Sequence, residues 1–119
     1  MYKVVDLKNY PLKGYEGGKK VFELYQPCKI VSLLACFSSP RGWVKVVLDN
    51  AAEIYMKPED MQELRDGAVK LIEYNDTDLR YTVGIVKSLD DLKSIEIYVG
   101  NDESSGITLK RLYGLIKVE

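Results

Sequence analysis

Apolar and polar residues alternate along most of the chain, which is the pattern of short, half-buried β-strands. The clearest case is the run of Ile95, Ile97 and Val99, which alternate with Glu96 and Tyr98. Similar segments recur roughly every ten residues and are separated by turns rich in Gly, Pro, Asn and Asp. This spacing predicts roughly eight or nine short strands and is typical of a β-sandwich or a β-barrel.

The longest apolar stretch runs from Cys28 to Leu48 and consists of two runs joined by one turn. The first run, Ile30–Phe37, has no charged residue at either its odd-numbered or its even-numbered positions, which point to opposite faces of a sheet. This strand should therefore be buried on both faces. After a turn at Ser38–Gly42, the second run, Trp43–Leu48, resumes with alternating inward and outward positions. We expect the two runs to pair as a buried central hairpin on which the other strands are laid.

Two further elements follow this stretch. Residues 43–56 are expected to form a hairpin, because Asp49 and Asn50 both tolerate the left-handed conformations of a tight turn. One short helix is expected near 58–66, since the segment starts with a proline and acidic residues and stops at a glycine.

The length of 119 residues is that of one domain and is sufficient to bury a core without disulfide or metal staples. We therefore predict a single, mainly β domain over residues 1–119, built as an antiparallel two-sheet sandwich of jelly-roll type or as a flattened barrel. The final third, with the sequence IEIYVGND and a closing strand, resembles carbohydrate-binding jelly-roll domains in outline. It contains no diagnostic motif, so no residue role follows from the resemblance.

Composition and charge narrow the classes of partner. The net charge of −1 gives no overall attraction to nucleic acid or to anionic membranes. No apolar run approaches the roughly 18 residues of a membrane helix, and the start MYKVVDLKNY lacks the apolar core of a secretory signal. We expect a cytoplasmic protein of the producing or host cell, with no membrane partner. Its many Lys, Glu and Tyr residues and few Gln residues would suit a heat-adapted source. They would equally suit an AT-rich genome, such as that of a phage, a virus or a low-GC bacterium.

The two cysteines, Cys28 and Cys36, are expected to be free thiols. Along one extended strand they would lie about 26 Å apart, using roughly 3.3 Å per residue. A disulfide needs Cα atoms within about 7 Å. We therefore predict two buried thiols that act as small apolar residues, which fits a reducing compartment.

The sequence lacks a recognisable catalytic or metal-binding set. It contains no histidine, the commonest general base and metal ligand, and no Gly-rich phosphate motif in a strand-to-helix context. Its acidic turns, such as Asp90-Asp91 and Asn101-Asp102-Glu103, are interpreted as solvated. We predict that the protein is not an enzyme and uses no cofactor or metal.

Aromatic residues are the main candidates for ligand contact, because flat rings on a sheet face can bind sugars, bases or another protein. On the parity pattern, four aromatic residues point away from the core, and the basic residues Arg41, Lys45 and Lys87 are expected near them. The candidate binding residues are thus Tyr25, Arg41, Trp43, Lys45, Tyr55 and Tyr98. Alternatively, the tyrosines only cover the sheet and Trp43 pins its turn by stacking on Arg41.

Three functions remain open at this stage. The leading hypothesis is a non-catalytic module that binds protein, including a second copy of itself, through an edge strand or an aromatic face. The first alternative is a carbohydrate-binding jelly roll with Trp43 and the tyrosines as its platform. The second is a small single-stranded nucleic-acid binder that uses Arg41, Lys45 and the pair Lys19-Lys20, although the near-neutral charge disfavours it.

Unpaired strand edges favour self-association. The first strand, expected over residues 2–8, is protected by its charges and by Pro11. The strands Ile95–Val99 and Leu112–Ile116 carry only Glu96 between them as an inline charge. If either strand is an edge, a second copy related by a two-fold axis would continue the sheet. We therefore expect a homodimer.

Overall fold

A computed structural model describes residues 1–58, 81–85 and 87–119. In these ranges nine strands form two antiparallel sheets that do not close into a barrel, so the two-sheet sandwich is confirmed and the flattened barrel is not the architecture adopted. The strands are β1 (Tyr2–Leu12), β2 (Lys19–Leu24), β3 (Cys28–Phe37), β4 (Gly42–Leu48), β5 (Ala52–Met56), β6 (Thr82–Ile85), β7 (Leu89–Leu92), β8 (Ile95–Asn101) and β9 (Ile107–Val118).

The strand order is that of a jelly roll. Sheet 1 has the order β1-β9-β3-β6, with β7 also paired to β3, and sheet 2 has the order β2-β8-β4-β5. The pairs β4–β5, β3–β6, β2–β8 and β1–β9 are nested around the turn at Asp49-Asn50. The chain is thus one long antiparallel ribbon, with its tip at that turn, which is wrapped into two facing sheets.

The core lies between the two sheets and follows the predicted alternation. Val44 and Val46 of β4 and the isoleucines of β8, Ile95 and Ile97, are fully buried. Burial on both faces of β3, which is predicted for Ile30–Phe37, holds in the second half of the strand. Val31 and Ser32 are half-buried, and the residues buried on both parities are Leu33, Leu34, Ala35, Cys36 and Phe37. Cys28 and Cys36 are both buried thiols that form no disulfide, as predicted.

The predicted central hairpin is wrong, because β3 and β4 lie in different sheets. β3 hydrogen-bonds to β9 on one side and to β6 and β7 on the other, so neither of its edges is open to β4. The turn after β3 is instead an arch from one sheet to the other. Gly42 sits so tightly against the ring of Phe37 that a Cβ atom there would overlap it. A run–turn–run pattern is the same for an arch and for a hairpin, so the sequence could not distinguish them.

The second predicted hairpin is confirmed. β4 and β5 pair antiparallel, from Val44 opposite Met56 to Leu48 opposite Ala52. Asp49 and Asn50 have φ angles of 57° and 55°, as a turn with two left-handed residues requires. The Asp49 carboxylate also accepts hydrogen bonds from the backbone N–H groups of Lys93 and Ser94, at 2.6 and 3.2 Å.

The two strands that would favour a dimer if either were an edge are both interior strands. β8 lies between β2 and β4, and β9 lies between β1 and β3. Sheet edges in the described ranges are formed by β1 and β2 and by the short strands β5, β6 and β7. β1 carries Lys3, Asp6 and Lys8 and a left-handed Asn9, and the pairing of β2 shifts register between Lys20 and Phe22. Charges and irregularities of this kind protect edges. The edge argument for a homodimer is therefore wrong, and the dimer itself stays a prediction.

The helix expected near 58–66 lies outside the described residues, apart from Pro58. Within the described ranges, no helix is long and apolar enough to cross a membrane.

One end of the sandwich, which we name the loop end, carries the connections β1–β2, β3–β4 and β8–β9. The side chain of Asn101 is buried there and donates to the carbonyls of Lys13 and Ser105, both at 2.9 Å. Its Oδ1 accepts from the N–H of Glu103 at 2.8 Å, and its own N–H donates to the Glu16 carbonyl. A single buried amide thus holds the β1–β2 and β8–β9 connections together.

The acidic turn Asn101-Asp102-Glu103, which the sequence predicts to be solvated, is exposed only in part. Asn101 is buried, whereas the Asp102 side chain is 42% exposed. The Glu103 carboxylate accepts a 2.7 Å hydrogen bond from the Ser39 hydroxyl, and the Asp102 carboxylate accepts from the indole of Trp43 at 3.1 Å. These bonds attach the β8–β9 connection to the arch and to sheet 2.

We expect Asn101→Ala to destabilise the protein by about 2–3 kcal/mol, because it leaves buried carbonyl and N–H groups without partners. Urea unfolding measures the change. Ser104→Ala, at an exposed position of the same connection, is the control and should change stability by less than about 0.5 kcal/mol. Equal effects for the two variants would show that Asn101 does not hold the loop end.

Candidate binding face

The outer face of sheet 2 gathers most of the aromatic residues selected from the sequence. The registers place Lys20, Tyr98, Lys45 and Tyr55 in one row across β2, β8, β4 and β5. The next outward row consists of Glu23, Glu96, Val47 and Glu53. We call this surface the tyrosine face and define it by Lys20, Glu23, Tyr25, Lys45, Val47, Glu53, Tyr55, Glu96 and Tyr98.

Glu96 is the centre of a hydrogen-bond network on this face. Its Oε2 accepts from the hydroxyls of Tyr25 and Tyr98, at 2.9 and 3.1 Å, and from Lys20 Nζ at 3.2 Å. The Tyr25 hydroxyl also lies 2.9 Å from Glu23 Oε2, and Lys20 Nζ lies 2.8 Å from the same atom. The Glu96 side chain is only 14% exposed. Five side chains of β2 and β8 and of the turn after β2 thus share one connected polar network.

The network shifts the pKa values of four side chains, those of Tyr25, Glu96, Glu23 and Lys20. Hydrogen bonds to Glu96 and Glu23 raise the pKa of Tyr25 to about 12, so its phenol stays neutral. The pKa of Glu96 is lowered, first by Tyr25 and then by Lys20, and that of Glu23 is lowered, first by Lys20 and then by Tyr25. The pKa of Lys20 is raised, first by Glu23 and then by Glu96. Each group therefore keeps its charge state throughout the physiological pH range.

Lys45 occupies the middle of the face. Its Nζ lies 4.5 Å from the ring centroid of Tyr98 and 5.8 Å from that of Tyr55, which are cation–π distances. Tyr55 in turn lies 5.6 Å from Trp43, with an interplanar angle of 50°. The lysine therefore covers one face of the Tyr98 ring, whereas Tyr25 and Tyr55 are each 55% exposed.

Trp43 is on the outer side of sheet 2 but is only 6% exposed, so it is not an open platform. Its ring lies against Gly100, where a Cβ atom would overlap the indole, and approaches Gly18 from the side. Its Nε1–H donates to Asp102, whose other carboxylate oxygen lies 3.4 Å from Lys57 Nζ. Glycine at position 100 is required because the indole needs the volume that a side chain would fill.

The structure thus places four of the six candidate residues on the tyrosine face and a fifth at its border, and it leaves out the sixth. Tyr25, Lys45, Tyr55 and Tyr98 belong to the tyrosine face, and Trp43 borders it. Arg41 lies in the arch at the loop end, where its Nη2 donates to the Asp102 carbonyl at 3.4 Å. The described ring contacts of Trp43 are with Tyr55 and the glycines, so the alternative in which Trp43 stacks on Arg41 is not observed.

Sequence reasoning missed the residues that fix this face. Glu96 and Tyr98 share the outward parity of β8, and this was the one available signal that a carboxylate lies beside a tyrosine. Nothing local indicates that Tyr25 and Lys20 reach the same carboxylate, because they lie more than seventy residues away, with separations of 71 and 76. Gly100 likewise gives no sign that it accommodates an indole from another strand.

The described residues contain no group of three or more His, Cys, Asp or Glu side chains that could hold a metal ion.

The sequence matches no known family of proteins. It also matches no curated protein. Among solved structures, it is similar to a family two carbohydrate esterase from Cellvibrio japonicus, with 13% identity and a TM-score of 0.34. The match covers 99% of this chain and 34% of the esterase chain, so this chain spans about a third of that protein's length. A similarity this low supports no inference about function.

We expect Gly100→Ala to destabilise the protein by about 1–3 kcal/mol, because the added methyl group must displace the ring of Trp43. Since the chain has 1 tryptophan, its fluorescence reports this ring alone and should shift to the red. Gly17→Ala is the matched control, because a Cβ atom at Gly17 meets nothing within 4 Å. An unshifted spectrum and unchanged stability in Gly100→Ala would contradict the packing described.

The Glu96 network predicts a specific pH dependence. Because its pKa is lowered, the Glu96 carboxylate stabilises the fold at neutral pH. This contribution is lost as the pH falls below about 4.3, the ordinary pKa of a glutamate side chain, and then through the lowered pKa of Glu96 in the folded protein. Glu96→Gln should therefore be less stable than the wild type at pH 7, and the difference should shrink in acid.

Denaturant unfolding at several pH values measures this difference. Glu53→Gln, an exposed carboxylate in the same row, is the control and should follow the wild type. A stability difference between Glu96→Gln and the wild type that does not vary with pH would refute the role assigned to the charge.

Proposed function

We propose that this chain is a non-catalytic module that binds another protein through the tyrosine face. The observation that supports it most is the arrangement of two tyrosines that are each 55% exposed, Tyr25 beside β2 and Tyr55 on β5, at opposite sides of sheet 2. Between them lies a centre of charged groups that are already paired with one another. The face spans four strands, or about 14 Å at roughly 4.8 Å per strand.

Exposed tyrosines suit protein recognition because each ring offers a large contact area and loses little side-chain entropy on binding. The hydroxyl of Tyr25 is already held by Glu23 and Glu96, so its ring is positioned before a partner arrives. Preorganisation of this kind lowers the entropic cost of association. Tyrosine is also among the residues that contribute most to the energy of protein interfaces.

The charges of the face argue against nucleic acid as the ligand. Three carboxylates, Glu23, Glu53 and Glu96, accompany two lysines, Lys20 and Lys45. The Lys20 ammonium is paired with two of the carboxylates, and Lys19 lies over the ring of Tyr10. Since phosphate contacts supply most non-specific affinity for nucleic acid, a face with this balance attracts it little.

A carbohydrate is the second candidate ligand, because the exposed ring of Tyr25 stands beside carboxylates that could accept sugar hydroxyls. Two observations favour a protein over a carbohydrate as the ligand. Lys45 lies over the ring of Tyr98, and Trp43 is buried. The exposed rings are therefore separate, and the face lacks the continuous aromatic platform expected of a sugar-binding surface. A second copy of the chain is one protein that this face would accept.

We expect the double variant Tyr25→Ala/Tyr55→Ala to lose protein partners that the wild type retains. Immobilised wild type, double variant and Tyr2→Ala are compared in extracts of the cells that produce the protein, with quantitative mass spectrometry. Tyr2 is 57% exposed and lies on β1 in the other sheet, so Tyr2→Ala is a control of matched exposure. A purified partner should bind the double variant at least tenfold more weakly, since two interface tyrosines typically contribute more than 1.4 kcal/mol.

Two further measurements separate the alternatives. A glycan array on which the wild type binds and the double variant does not would favour the carbohydrate ligand. Light scattering after size exclusion, with the wild type and the double variant, shows whether the partner is a second copy. Partners that bind all three proteins equally would contradict the proposed face.

A further inference from the structure

The tyrosine face is divided into two rows of opposite chemical character. The first, which we call the donor row, consists of Lys20, Tyr98, Lys45 and Tyr55. The second, which we call the acid row, consists of Glu23, Glu96, Val47 and Glu53. Every side chain of the donor row ends in an N–H or O–H group, and three of the four in the acid row end in a carboxylate. The face therefore carries donors on one side and acceptors on the other.

One cation and one anion of this face lack an opposite charge within the chain. The Lys20 ammonium is paired with two carboxylates of the acid row. The Lys45 ammonium contacts aromatic rings and has no carboxylate partner in the part of the chain that the structure describes. In the same part of the chain, the exposed Glu53 carboxylate has no hydrogen bond or ion pair. A partner with the opposite pattern of charges would compensate both.

A second copy of the face has this opposite pattern when it is turned end over end. A two-fold axis that lies between two facing sheets, perpendicular to the strands, exchanges the rows and keeps each strand over its own equivalent. Tyr55 then faces Glu53 of the second copy. Lys45 faces Val47, beside which Glu53 stands in the acid row. The uncompensated lysine of each copy thus reaches the uncompensated carboxylate of the other.

The other face-to-face arrangement of two copies is unfavourable. A two-fold axis parallel to the strands would lay each row on its own equivalent, with β2 over β5, because these strands are the two ends of sheet 2. Glu23 would then face Glu53. Like charges that face each other across an interface lower the affinity and exclude wrong arrangements. The order of side chains on the four strands therefore selects one orientation.

The selected orientation also covers both exposed tyrosines. β2 of one copy lies antiparallel to β2 of the other, so Tyr25, just past the end of the strand, comes over the residues that precede it. These are Gly17 and Gly18, which have no side chains to oppose the ring, and a Cβ atom at Gly17 would meet nothing within 4 Å. Tyr55 lies against the acid row. Both rings that the face offers as contact area are therefore buried.

We propose that the partner of the tyrosine face is a second copy of this chain, bound face to face about a two-fold axis perpendicular to the strands, with Lys45 of each copy paired to Glu53 of the other. This inference rests on the proposed function and names its partner. Two tyrosines and one pair of charges per copy make an interface of the small class, below roughly 1,200 Å² in total, that is typical of weak complexes. We expect a dissociation constant of about 100 µM that rises with salt.

A charge swap between copies tests the pairing, with sedimentation velocity from about 10 to about 500 µM protein as the measurement. Lys45→Glu and Glu53→Lys should each weaken the dimer roughly tenfold or more, because each places two like-charge pairs in the symmetric interface. An equimolar mixture of the two variants should form a heterodimer about as tight as the wild-type dimer, since both of its contacts again join opposite charges. Lys3→Glu, at an exposed position of β1, makes the same change of net charge and should dimerise like the wild type.

Three results would overturn the inference. The first is a wild type that stays monomeric at about 500 µM and low salt. The second is dimerisation of Lys45→Glu or Glu53→Lys equal to that of the wild type. The third is a mixture that stays monomeric when both single variants do, because Lys45 and Glu53 would then interact within one copy and not between copies.

Failure of this inference and failure of the proposed function give different results. If the wild type is monomeric but the Tyr25→Ala/Tyr55→Ala variant still loses partners from the extract, the face binds a different protein and only this inference fails. If the charge swap restores a heterodimer and the double tyrosine variant is monomeric, the second copy is the partner and both stand. If a dimer forms that neither the tyrosine nor the charge variants weaken, another surface is used and both fail.

Discussion

The register between β4 and β8 is the constraint on which the outer face of sheet 2 depends. Val44 lies opposite Val99 and Val46 lies opposite Ile97, and all four side chains are fully buried between the sheets. A slip of one residue would turn Lys45 or Tyr98 into the core, so burial of these apolar side chains specifies the register strongly. The same register sets Trp43 beside Gly100 and Lys45 beside Tyr98. The composition of the outer face is therefore decided by the packing of the inner one.

Rigidity of the face follows from its polar pairing. Isolated charged side chains on a flat sheet would present a mobile surface. Here Glu96 accepts hydrogen bonds from Tyr25, Lys20 and Tyr98, which hold these side chains in place. A partner that covers this network need not break it, because the donors and acceptors already satisfy one another. The binding energy would then come from the exposed rings of Tyr25 and Tyr55. In this account the fold supplies preorganisation and the two tyrosines supply contact area.

The local alternation of apolar and polar residues was sufficient to predict the strands. It was not sufficient to predict how distant strands pair or which side chains they bury. The alternation on β8 correctly gave its burial, the uncharged run of β3 gave burial on both faces for the second half of that strand, and Asp49-Asn50 correctly gave the hairpin turn. The arch between β3 and β4 could not be told from a hairpin, since its cause is that β9, β6 and β7 occupy both edges of β3. The burial of Trp43 depends on Gly100 and Asp102, from a strand far along the chain. Parity therefore placed the four aromatic candidates on the correct side of sheet 2. Their degree of exposure could not be predicted, because it depends on residues that are distant in the sequence.

The most direct test of the proposed tyrosine face is chemical-shift mapping by NMR of isotopically labelled protein, titrated with a purified partner that the wild type retains. The account predicts a contiguous footprint over the outward positions of β2, β8, β4 and β5, which includes Tyr25 and Tyr55 and leaves Tyr2 and the rest of β1 unchanged. A footprint centred on sheet 1, with the tyrosine face unperturbed, would contradict it.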